Sequence, residues 1–211
     1  PKRNNTAMEF YLAILLFTAT ASITPGPNNI MIMASGVNFG VRPSLPHVLG
    51  ICLGFPVMVI SLGIGLGALF DSVPILHEII KIFGVAYLLY LAWLVASSSS
   101  FEETSSPSRP LRFDQAVLFQ WVNPKAWVMA TGAISTYTTT AGDTLTQVLF
   151  IAFAFFITAA PSVMIWLIFG AGLKRYLDNA LHNRIFNIVM ALLLVVSMSP
   201  VINGLIQQYL N

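Results

Sequence analysis

Asn123-Pro124-Lys125 interrupts an apolar stretch that runs from about Phe113 to Tyr137. A lysine at the centre of a bilayer costs roughly 2.5–3.5 kcal/mol on insertion scales. The proline before it removes one helix hydrogen bond and crowds the preceding turn. Backbone broken at membrane depth is tolerated only inside protein or beside a water-filled cavity. A second break, Thr24-Pro25-Gly26-Pro27-Asn28-Asn29, stands about a hundred residues earlier. Two Pro/Gly-interrupted apolar segments in matching places point to the binding site of a transporter.

Composition agrees with a membrane setting. Of 211 residues, 56% are hydrophobic and 9% charged, with mean hydropathy +0.79. A soluble domain carries roughly 25% charged residues. The chain therefore reads as an all-α, polytopic integral membrane protein in contact with lipid. Net charge is +2 and the basic residues are scattered, so no nucleic-acid partner is expected. The lone cysteine, Cys52, excludes an intrachain disulfide and reads as a small buried hydrophobe. His47, His77 and His182 fall at the edges of apolar segments with no second ligand at helical spacing. They read as interfacial residues, and neither a metal nor a cofactor is expected.

A spanning helix needs about 20 mainly apolar residues. Six segments meet this, at roughly 9–36, 47–70, 78–97, 113–137, 145–171 and 184–206. Lys2, Arg3, the run Phe10 to Ile23 and Ala19-Thr20-Ala21 mimic a signal peptide. The apolar run resumes at Ile30, however, so a retained helix is expected, preceded by a polar, mobile Pro1 to Ala7. The polar stretch at about 98–112 reads as a flexible cytoplasmic linker. It divides a single transporter domain into repeat one, about 8–97, and repeat two, about 113–206.

The halves resemble each other. Pro56 precedes Gly65-Leu66-Gly67-Ala68-Leu69 by nine residues, as Pro161 precedes Gly170-Ala171-Gly172-Leu173. Lys81-Ile82-Phe83-Gly84 opens the third segment and Arg184-Ile185-Phe186-Asn187 the sixth, at nearly the same offset. Three spans per half force the second repeat to lie upside down, with the first and fourth helices broken. Pro56 and Pro161 read as helix bends. Gly50/Gly54 and Gly63/Gly67 read as close helix contacts. Six of the ten basic residues lie in the loops after the first, third and fifth segments. That side is expected to be cytoplasmic, with both termini outside.

Lys125 lies 12 residues beyond Phe113, about 18 Å at the helical rise. Pro25 lies 16 residues beyond Glu9, about 24 Å from the opposite face. In a hydrocarbon core of roughly 30 Å the two breaks can meet. An unwound Thr24 to Pro27 exposes backbone groups, and a helix restarting near Asn28 aims its positive end at the gap. Asn28, Asn29 and Asn123 supply amide donors and acceptors, and Lys125 a positive charge. All eight acidic residues, from Glu9 to Asp178, sit near segment ends or in loops, so Lys125 has no fixed counter-ion at its depth. A substrate carboxylate would serve as one. Alternatively, burial drives the proton off and the lysine shuttles it. The four tryptophans read as lipid or packing contacts.

Ser22-Ile23-Thr24-Pro25-Gly26-Pro27-Asn28, Gly40-Val41-Arg42, Gly84-Val85-Ala86-Tyr87-Leu88 and Asn123-Pro124-Lys125 together resemble the lysine exporter / homoserine-threonine exporter superfamily, over nearly the whole chain. Asn187 departs from it, where that family more often has glycine. The resemblance implies a six-span bacterial inner-membrane exporter of amino acids and their derivatives, driven by the proton gradient. The reading is thus a secondary-active exporter of a small amino acid, with protons as coupling ion. Its substrate site is Thr24, Pro25, Gly26, Pro27, Asn28, Asn29, Asn123, Pro124 and Lys125. A homodimer is left open. The alternatives are a passive amino-acid channel and a membrane-embedded enzyme. The second lacks a Cys/His pair, a carboxylate dyad or a metal cluster at depth.

Overall fold

The computed structural model describes residues 2–66, 72–97, 109–138, 143–177 and 179–197, with 199, 202–203 and 206–207. Among the described residues every regular element is a helix. The first apolar segment is two helices, α1 (Lys2–Ile23) and α2 (Pro27–Phe39), bent by 51° at the Thr24–Gly26 break. α3 (Leu45–Ser61) follows a short 3-10 turn, and α4 (Pro74–Ser97) completes the first half. The second half opens with another broken pair, α5 (Phe113–Val122) and α6 (Pro124–Tyr137), parted by Asn123. α7 (Thr144–Leu173) and α8 (Ala180–Ser197) end it.

Three stretches are long and apolar enough to cross a membrane: Arg42–Gly65, Thr144–Tyr176 and Ala180–Ser197. The α1–α2 pair makes a fourth, and α4 holds the shorter apolar helix Ile82–Ser97. The protein is therefore an all-α, multi-pass membrane protein. Most of the linker expected at 98–112 lies outside the described residues, as do Gly67-Ala68-Leu69, Asp71, Glu102, Glu103 and Asp178.

One local expectation changes. α1 is already helical at Lys2, because no proline or glycine stands between there and Ile23 to stop it. In the second apolar segment a non-helical backbone angle falls at Gly65. α3 runs through Pro56, then passes into a π turn at Leu62–Leu66 in which Gly65 takes φ 130°. Glycine lacks the Cβ that forbids that region. α7 likewise continues through Pro161. Near it, hydroxyls occupy carbonyls of the helix: Thr158 donates to Ala154 O at 2.9 Å and Ser162 to Thr158 O at 2.8 Å.

α7 is the central post, packed against α1, α2 and α3. Small residues set its approach to α2. A Cβ on Gly36 would lie 2.4 Å from Leu167 O, and one on Gly170 2.2 Å from Met33 O. α3 meets α5 the same way, with Gly50 against Ala116 and Gly54 against Val117. Lipid is as apolar as leucine, so such close backbone packing replaces the hydrophobic drive of water. α4 and α8 pack together and on α2 and α5 around Met31, Leu88, Leu91, Phe119 and Leu194.

Candidate functional site

Proline fits the first position of a helix, where its missing N–H would be unpaired anyway. Pro27 therefore starts α2 and Pro124 starts α6. Pro27, expected in the unwound stretch, is already helical. Each restart leaves first-turn N–H groups without an intrahelical acceptor. At α2 no side chain caps them, whereas Asn123 caps α6 through its Oδ1, 3.1 Å from Lys125 N. Two positive helix ends thus face one region, alongside the ammonium of Lys125.

The two breaks meet. Lys125 Nζ donates to Thr24 O and reaches Pro25 O at 3.4 Å. These carbonyls close α1, the negative end of its dipole. Gly26 gives the lysine its passage: a Cβ there would stand 2.5 Å from Lys125 Cδ. Among the described residues no carboxylate pairs with Lys125, the one ion pair being Arg112–Asp114. Glu9 and Asp114 are exposed, and Asp143 caps α7.

Polar side chains pin the geometry. Asn29 Nδ2 donates to Ser22 O and Thr24 O, both at 2.9 Å, tying α2 back onto the end of α1. Asn28 and Gln120 exchange two amide bonds, at 2.8 and 3.1 Å, joining α2 to α5. Trp166 Nε1 donates to Ile23 O at 3.1 Å, and Trp127 Nε1 to Trp121 O at 2.7 Å. These tryptophans brace the breaks, beyond the packing role expected of them.

Beside Lys125 lies a cavity of about 40 Å³, bordered by Ser22, Asn28, Asn29, Asn123 and Lys125 and, on its apolar side, by Phe55, Met129 and Val163. At about 10–15 Å³ per water it holds a few waters. Its chemistry suits a small zwitterion: cation and helix ends for a carboxylate, carbonyls and amide oxygens for an ammonium. Of the nine expected site residues, Gly26, Asn28, Asn29, Asn123 and Lys125 line it. Thr24 and Pro25 turn their carbonyls to Lys125, and Pro27 and Pro124 start helices.

Gln120 was not anticipated, although an uncharged amide three residues before Asn123 in an apolar run is a readable signal. His47 is a correction. It is fully buried, with Nδ1 3.2 Å from Ser35 Oγ on α2. The histidine thus faces α2 inside the bundle and not the membrane surface. Pro56 is buried in α3 and Pro161 exposed on α7; neither lines the cavity.

A profile of the LysE type translocator family matches residues 19–197. The cysteine/O-acetylserine efflux protein of Salmonella choleraesuis (strain SC-B67) is 30% identical over 184 residues, covering 87% of this chain and 92% of that protein. The protein of the same description from Escherichia coli (strain K12) is 30% identical over 185 residues, covering 87% and 92%. No solved structure matches the chain.

Proposed function

This chain belongs to the LysE type translocator family, and from that premise we propose that it is a secondary-active exporter of small amino acids across the bacterial inner membrane. Cysteine and O-acetylserine, named for its relatives, are the first substrates to test. The observation that carries the reading is the contact between Lys125 and Thr24 O. A cation without a carboxylate partner among the described residues is held on backbone carbonyls where two helix starts converge.

The mechanism follows from competition. With the site free of substrate, Lys125 rests on Thr24 O and Pro25 O and ties α6 to the end of α1. A substrate carboxylate is a stronger acceptor than a neutral carbonyl. It draws Lys125 away and loosens the tie between the two broken spans. Export against a gradient then needs a coupling ion, and a proton is the natural one: a deprotonated lysine would release the carboxylate. Six crossings in two inverted repeats supply the moving halves. Supporting that topology, both broken pairs restart at proline, and α3 packs on α5 as α7 packs on α1. The gathering of basic residues in alternate loops supports termini on the outside.

The test is export from loaded cells, with membrane abundance and thermal stability recorded in parallel. Lys125→Met should fold at least as well as the parent, because an apolar side chain of similar length replaces a charge, and should abolish export. Lys125→Arg should export poorly, since a planar guanidinium fits a point-charge site badly and does not release its proton. Normal export by Lys125→Met at equal abundance would remove the lysine from the mechanism.

A further inference from the structure

α2 carries a second polar position beyond the site. Ser35 and Asn38 stand seven and ten residues after Asn28, within about 80° of it in helical projection and about 10–15 Å further along the axis. Both border another cavity, of about 60 Å³, closed by Leu91 and Val95 of α4 and by Arg109 before α5. Among the described residues Arg109 is the one charged residue bordering it. Among the described residues it has no ion-pair partner, unlike Arg112, which is engaged by Asp114.

The donors of this cavity are partly free. Asn38 is held by Ala34 O at 2.9 Å and by Asn187 at 3.1 and 3.2 Å. Ser35 shares one bond with His47 Nδ1, and His47 Nε2 is buried without a partner among the described residues. A buried orphan N–H is rarer than a buried orphan acceptor. With its proton on Nδ1, the histidine donates to Ser35 Oγ, and the serine hydroxyl proton is then available to a guest. A guanidinium fork and a hydroxyl donor together recognise a carboxylate.

Met31 and the Asn28–Gln120 pair lie on α2 and α5 between the two cavities. Met31 borders the second and packs with Leu88, Leu91 and Phe119. The neighbouring Gln120 holds Asn28, which borders the first. A methionine is the most adaptable apolar side chain, and an amide pair can exchange for a polar guest.

We propose that the Ser35–Asn38–Arg109 cavity is a loading site for the substrate's carboxylate, on the side where the basic loops gather. From it the amino acid passes Met31 and the Asn28–Gln120 pair to reach Lys125. This rests on the exporter reading. The anion recognised could equally be a lipid phosphate, and the test separates the two sources.

The full chain is reconstituted in two vesicle types, phosphatidylcholine alone and phosphatidylcholine with phosphatidylglycerol. Labelled O-acetyl-L-serine is supplied from each face in turn. Arg109→Gln should raise KM about tenfold from the basic-loop face, with kcat and melting temperature near wild type. From the opposite face KM should be unchanged. Arg109→Lys should recover part of the loss, and Ser35→Ala should raise KM a few-fold. The same pattern should appear in both vesicle types. An unchanged KM for Arg109→Gln overturns the loading site alone, as does a defect confined to phosphatidylglycerol vesicles, which would mark Arg109 as a lipid contact. Wild-type protein that moves neither O-acetylserine nor any common amino acid overturns the exporter reading, and the loading site with it.

Discussion

Lys125 on α6 donates to the main-chain oxygen of Thr24, 101 positions earlier in the chain. The cation of one broken span thereby terminates the first helix of the other. Both breaks become one structural unit, and whatever displaces the lysine also frees the end of α1.

Gly26 sits under that lysine, so Gly26→Ala probes the contact without touching charge. The added Cβ would meet Lys125 Cδ at 2.5 Å, the stem of a flexible side chain. The lysine should shift at little cost in stability, and export should fall several-fold. Gly36→Ala and Gly170→Ala meet fixed backbone instead, at 2.4 and 2.2 Å. Overpacking there should cost about 1–3 kcal/mol, read as a lowered melting temperature. Gly132→Ala has open space around its Cβ and should be neutral or slightly stabilising. Equal melting temperatures for Gly36→Ala and Gly132→Ala would contradict the α2–α7 crossing.

Gln120 is fully buried and has its amide committed to Asn28 and to Ala116 O. Gln120→Leu leaves Asn28 without a partner and should destabilise by about 1–3 kcal/mol. Adding Asn28→Leu should cost much less than the single changes summed, because the orphaned partner is gone. Strict additivity in chemical or thermal unfolding would show that the pair is not coupled.

Asp143 caps α7, accepting from Thr146 N at 2.8 Å and from the Thr146 hydroxyl at 2.6 Å. The hydroxyl first, then the backbone N–H, hold its carboxyl below the ordinary value of 3.8. A depressed carboxylate stabilises the fold above its unfolded pKa. That contribution fades as pH falls below 3.8 through the lower folded value. Asp143→Asn, which accepts at any pH, should flatten the acid limb of a melting-temperature profile. An identical acid limb in both proteins would rule out this cap as a contributor.

Cysteines placed at Ser99 and Gly142, in a Cys52→Ala background, should react with an impermeant thiol reagent from opposite faces. In intact cells Ser99 should be protected, because its loop shares a side with Arg109 and Arg112. Labelling of both from outside would defeat the six-span inverted repeat.

Much of this protein is local in origin and could be read along the chain. Helix restarts at Pro27 and Pro124 follow from a fixed φ and a missing N–H, which act within one turn. Apolar stretches long enough to cross the bilayer follow from its thickness, and Lys125 announces itself by its cost in that setting. The meeting of the two breaks was legible too, because helical rise converts residue counts into depth. Partners across the bundle were not. His47 looks interfacial by position, yet it is buried against Ser35 of α2. Gln120 faces Asn28 only because α2 and α5 flank the same gap, and Trp166 finds the carbonyl of Ile23 only because α7 passes the end of α1. Such contacts depend on rotation and crossing of helices set by small residues such as Gly36 and Gly170. Periodicity within one helix carries no information about which neighbour will come that close.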